Sequence, residues 1–124
     1  MKQLVALLIM LAPLAAQADK NYMGGKGATW DCKSDPVVNI NHGKGVYTFK
    51  GACKEINING GENKVTIESV GTFNLNGGKS VIDIGAVDAI QVVGSDNKIT
   101  YKKGLSVDAP AVNQTGSGNS VGKK

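Results

Sequence analysis

The chain has 124 residues, 41% of them apolar, and a formal net charge of +4. That length holds one domain and excludes a two-domain enzyme, while the apolar share is enough for a small core. All 14 basic residues are lysines, scattered among 10 acids, and aromatics make up 5%. No arginine fork can grip phosphate in two places and no stacking platform is expected, so nucleic acid is not an expected partner.

Met1-Lys2 is a short positive start, Leu4 to Ala16 is almost wholly apolar, and Ala16-Gln17-Ala18 has the small-x-small form of a signal peptidase site. These three parts predict a secretory signal peptide over 1–18, cut before Asp19. A membrane span needs about 20 apolar residues, so no stable membrane insertion is expected after cleavage. Asp19–Gly27 looks flexible, and 19–29 is assigned to a loose N-terminal segment. Export also bears on Cys32 and Cys53, the only two cysteines. In an oxidising compartment such a pair is expected to form a structural disulfide. Without a C-x-x-C, and with His42 as the single histidine, the alternative of a metal or redox site is weak. Trp30, beside Cys32, is expected to lie as a lid over the first coil, tied down by that disulfide.

From residue 38 onward an internal repeat dominates. Gly43, Gly60, Gly77 and Gly94 recur every 17 residues. Apolar columns keep nearly the same step: Val38, Ile56, Phe73, Ile90; then Ile40, Ile58, Leu75, Val92; then Tyr47, Val65, Ile82, Ile99; then Phe49, Ile67, Ile84, Tyr101. The first step is one residue longer, and that slip is assigned to the turn around His42-Gly43-Lys44. Within each repeat apolar and polar residues alternate, as in Ile56-Asn57-Ile58-Asn59, which places one set inward and the other outward on a strand. Gly60-Gly61-Glu62-Asn63 and Gly94-Ser95-Asp96-Asn97 are turn residues that tolerate positive φ. A hairpin meander does not require repeats of one length, whereas a stack of coils does. The expected fold is therefore all-β: a β-solenoid of about 17 residues per coil over 30–121, with a flexible tail at 122–124.

The Cys pair followed by Gly61-Glu62-Asn63-Lys64-Val65, Ser95-Asp96-Asn97-Lys98-Ile99 and Gly118-Asn119-Ser120-Val121 resembles a bacterial family named only as domain of unknown function 3060. The resemblance covers roughly Trp30 to Val121, and Gly77-Gly78-Lys79-Ser80-Val81 departs from it, with Ser80 in place of Asn. It implies a small exported or lipid-anchored protein with no assigned activity, and it supplies no catalytic residues.

The most specific surface feature is a pair of amide files: Asn39, Asn57, Asn74 and Gln91 in one outward column, and Asn41, Asn59 and Asn76 in the next. Stacked amides hydrogen-bond along the stack, and they can also face a repeating polar ligand such as a polysaccharide. Thr48, Thr66 and Thr100 form a third file interrupted by Asp83, but flanking lysines and Glu68 oppose an ice-like water layer, and β-propensity alone explains the threonines. Gly78-Lys79-Ser80 lacks the first glycine of a phosphate loop, and Asn113-Gln114-Thr115 matches a glycosylation sequon relevant only in a glycosylating host. Asp83 with Asp88, or Glu62 with Glu68, are the carboxylate pairs available to a glycosidase, but a slim rod offers no cleft to aim them into. The expectation is a periplasmic or secreted, non-enzymatic structural or binding protein of the bacterial cell envelope. No catalytic residue, cofactor or metal is assigned. The expected partner is an envelope polysaccharide or another copy of the chain, and end-to-end self-assembly is the alternative role.

Overall fold

The computed structural model describes residues 20–22 and 27–124; the signal peptide predicted over 1–18 lies outside them. Alternating apolar residues with β-branched neighbours favour extended backbone, and the described residues form nine strands. These are β1 (Lys20–Tyr22), β2 (Gly27–Asp31), β3 (Val37–Ile40), β4 (Val46–Asn59), β5 (Lys64–Asn76), β6 (Val81–Val93), β7 (Lys98–Lys103), β8 (Ala111–Thr115) and β9 (Ser120–Lys123). Every pairing between them is parallel. The long strands β4, β5 and β6 each bend once, so that their first halves lie in one face and their second halves in another. One face stacks β2, β4, β5, β6, β7 and β9; the other stacks β1, β3, β4, β5, β6 and β8. The result is a parallel β-solenoid of about 5 turns, with Thr66 opposite Asp83, 17 residues on.

The apolar columns read from the sequence stack vertically. Ile56 pairs with Phe73 and Phe73 with Ile90; Val65 pairs with Ile82 and Ile82 with Ile99. All of these side chains are buried, and they form one continuous core along the axis. A fifth column, Cys32, Cys53, Val70 and Val87, fills the corner between the two faces. Cys32 and Cys53 are joined by a disulfide, with their Cα atoms 4.9 Å apart. Trp30 lies above Phe49, half-buried at the end of its column, and its indole N–H donates to the Asp35 carbonyl at 3.2 Å.

Three details differ from the sequence reading. The extra residue of the first repeat sits at the Lys50-Gly51 corner, because the register shifts between Phe49 and Ala52 and Gly51 has φ +78°. The turn at His42-Gly43-Lys44 has the same length as the others. Consequently Gly43 is not above Gly60: it lies over Gly61, which lies over Gly78. Finally, paired strand reaches beyond 30–121. Lys20–Tyr22, Gly27–Thr29, Gly122 and Lys123 all join the ladder, since pairing needs backbone groups rather than apolar side chains.

Candidate functional site

Alternation on the second halves of β4, β5 and β6 turns the predicted amides outward. Register places Asn39, Asn57, Asn74 and Gln91 in one file. The file is longer than the four residues assigned to it: Asn113 follows Gln91. Asn57 donates from Nδ2 to Asn39 Oδ1 at 3.0 Å, and Asn74 donates to Asn57 Oδ1 at 2.7 Å. Asn74 also reaches Glu55 Oε2 at 3.4 Å. In the neighbouring file Asn59 donates to Asn41 Oδ1 at 3.1 Å, and Asn76 continues the column before Val93 ends it. The two files flank a shallow groove of about 400 Å³, floored in part by Ile58 and Leu75. An amide carries two donors and two acceptor lone pairs. Asn57, bonded on each side, spends one donor and one lone pair on the ladder, whereas Asn74 donates to both Asn57 and Glu55.

A second polar ladder, not assigned from the sequence, lies inside the molecule at the turns. Asn63, Ser80 and Asn97 are buried polar residues in an otherwise apolar interior. Asn63 Oδ1 accepts the Gly45 N–H at 2.9 Å, and its Nδ2 donates to the His42 carbonyl at 2.9 Å. Asn97 Oδ1 accepts the Ser80 N–H at 3.0 Å and its Nδ2 donates to the Gly77 carbonyl at 2.9 Å. Asn119 repeats the arrangement, accepting from Asn97 and donating to the Gly94 carbonyl at 2.8 Å. These amides satisfy turn groups that would otherwise be buried unpaired. The shorter Ser80 takes only the Asn63 N–H, on Oγ at 3.3 Å. The signal was present in the chain: Asn63 stands two residues before the inward Val65, so the same alternation points it inward.

The other face carries the threonine file, Thr29, Thr48, Thr66, Asp83 and Thr100. Its groove, of about 310 Å³, is lined by Lys64, Thr66, Val81, Asp83, Lys98 and Lys124. Asp83 is ion-paired with Lys124. Asp88 accepts from the Leu105 N–H at 3.1 Å, the Ser106 N–H at 2.6 Å and the Ser106 hydroxyl at 2.5 Å. These hydrogen bonds, the Ser106 hydroxyl first, hold its carboxyl below the usual carboxylate range. Glu68 accepts the Gly51 N–H at 3.2 Å. The acids thus brace corners and loops. Burial pushes the Tyr47 phenol up, in keeping with its place in the core. Among the described residues no three His, Cys, Asp or Glu side chains converge as metal ligands.

Fold and surface together define a parallel β-solenoid with amide ladders both outside and at its turns. The family model described as "Protein of unknown function (DUF3060)" matches residues 70–118, from β5 to the turn before β9. That is the family whose Gly-x-Asn-x-Val units the sequence resembles, and the matched stretch includes Ser80 and Asn97 of the inner ladder. No curated protein and no solved structure matches the chain.

Proposed function

We propose that the chain is an exported, non-enzymatic binding protein of the bacterial cell envelope, whose rigid amide face receives a repeating polysaccharide. The observation that carries this reading is the groove of about 400 Å³ between two amide files on a fixed backbone. Successive rungs repeat at about 4.8 Å, so the ligand meets an amide at regular intervals without ordering any loop. Asn39, Asn57 and Asn74 bond to one another, as do Asn41 and Asn59, which holds these amides in one rotamer and lowers the entropic cost of binding. Export is supported by the apolar run ending at Ala16-Gln17-Ala18 and by the Cys32–Cys53 disulfide, which suits a periplasmic or secreted address. The non-enzymatic role is supported by Asp83, Asp88 and Glu68, whose carboxylates are engaged in structural contacts.

Co-sedimentation with purified peptidoglycan and with an insoluble neutral glucan tests the reading. The wild-type chain is expected to pellet with one of them. Asn57→Asp and Asn74→Asp are expected to reduce retention at least about tenfold, the cost of about 1.4 kcal/mol of lost hydrogen bonding. Gln91→Ala, at the edge of the groove, serves as a variant outside the bonded ladder, and circular dichroism verifies that each variant is folded. Undiminished retention by all three variants removes the amides from the binding role.

A further inference from the structure

We infer that the last turn is a docking edge for the first turn of a second copy, so that copies join head to tail in one register. This is independent of polysaccharide binding, because it concerns the end of the rod and not its side.

The open edge follows from backbone alternation. The Ser120 and Lys124 N–H groups point back to the preceding rung, on the Asn97 and Tyr101 carbonyls, and Thr115 O accepts from Gly94. In a parallel ladder neighbouring residues face opposite sides. The N–H and C=O of Val112, Gln114, Val121 and Lys123 therefore face away from the stack, and among the described residues no strand pairs with them. At the other end, Cys32 donates forward to the Lys50 carbonyl, so Gly27, Thr29 and Asp31 turn their backbone groups to the outer edge of β2. Setting Gly27 of a second copy opposite Ser120 places Val121 and Lys123 between those groups, the arrangement already made by β7 and β9.

Side chains favour the same register. Val112 continues the buried column Val38, Ile56, Phe73, Ile90, yet it is 37% exposed, and among the described residues no further rung lies over it. Leu105 and Val107 are exposed at the same end. Val121, packed on the end of the core, would be covered by Ala28 of the incoming copy. Lys123 occupies an inward column at the last rung, where a lysine ordinarily deters pairing. In this register it meets the Trp30 ring, a cation–π contact that turns a deterrent into a selector. Lys124 follows Lys102 in one outward file, with its ammonium ion-paired to Asp83 within the copy; Asp31 heads that file at the other end and would come to lie on the open side of Lys124. Lys33 is also at that end, with its backbone N–H on Asp31 Oδ1 at 2.9 Å.

Sedimentation velocity of the chain purified from the exported fraction, over a concentration series, tests the junction. The mass-average size is expected to rise with concentration. Lys123→Pro removes an edge N–H that makes no bond within the copy, so it is expected to keep the β spectrum and leave a monomer. Asp31→Lys is expected to weaken association about five- to tenfold, and Lys124→Glu combined with Asp83→Asn, which removes the carboxylate that Lys124 pairs with inside the copy, to restore it. A monomer at every concentration overturns the inference, as does association that Lys123→Pro leaves intact. If the combined exchange fails to restore association, the register is wrong.

Discussion

Gly94 shows how tightly a solenoid turn constrains one residue. Its φ is +138°, and a Cβ there would lie 1.8 Å from the Gly77 carbonyl oxygen. Gly77 itself stands over Gly60 with a Cβ clearance of 2.0 Å. Gly94→Ala is expected to destabilise the fold by about 2–4 kcal/mol, read as a lower urea midpoint, because both backbones must part. Gly122→Ala, where an added Cβ meets nothing within 4 Å, is expected to leave the midpoint in place. The inner amides are the other residues of this kind. Asn97→Ala strands the buried Ser80 N–H and Gly77 carbonyl, and is expected to cost about 2–3 kcal/mol. Asn57→Ala on the outer file leaves its neighbours in water and is expected to cost about 1 kcal/mol or less by the same denaturation series. The outer amides were legible because they alternate with buried isoleucines. The inner ones were not, because segments such as Gly60-Gly61-Glu62-Asn63 read first as turns, and only the parity of Asn63 with Val65 shows where its side chain goes. The turns also hold Lys44, Glu62, Lys79 and Asp96 at φ of 61°, 59°, 58° and 60°. In these four turns the position near φ 60° thus falls on a non-glycine residue, while Gly118 takes a φ of 75° in the last turn, a placement that composition alone does not reveal.

At the level of elements, the segment between β7 and β8 interrupts the repeat. Lys98 pairs with Ser120, 22 residues on, so the last turn is five residues longer than the 17-residue repeat, and the loop at 104–110 takes up the excess. Asp88 fixes its start through Leu105 and Ser106. The Asp88 carboxyl has its pKa below the ordinary 3.8 in the fold. Its contribution is therefore complete above the unfolded pKa and disappears as pH falls through the lower folded value. Amide protection factors at Leu105 and Ser106, measured against the intrinsic exchange rate at each pH, are expected to be high at neutral pH and to fall below about pH 4, with Asp88→Asn lowering them at neutral pH as well. Unchanged protection across that range would remove Asp88 as the anchor. The insertion was visible as Pro110 breaking the alternation, whereas its anchor was not, since Asp88 and Ser106 lie 18 residues apart with no motif joining them. The extra residue at Lys50-Gly51 was likewise detectable only as a longer step. Its place depends on the local backbone, where Gly51 adopts φ +78°.

Over the whole molecule, one coil cannot bury its own apolar side chains, so stability resides in the contacts between turns. The largest contacts join β4 to β5 and β5 to β6, the three complete turns at the centre, and they thin toward both ends. The disulfide reinforces the first end: closing the loop between Cys32 and Cys53 contributes about 3 kcal/mol in the chain-entropy model. The period of 17 residues was legible because every coil must present the same four apolar positions to its neighbours. The two ends were less so, since terminal strands such as β1, β2, β8 and β9 are held by backbone pairing that any side chain permits. Backbone nuclear Overhauser contacts in the isotope-labelled chain test the central claim, that turns stack in parallel with one column above the next. Amide and Hα contacts linking the Ile56, Phe73 and Ile90 rungs in one direction are the predicted result. Close Hα–Hα contacts between neighbouring segments running in opposite directions, the mark of a hairpin meander, would contradict it.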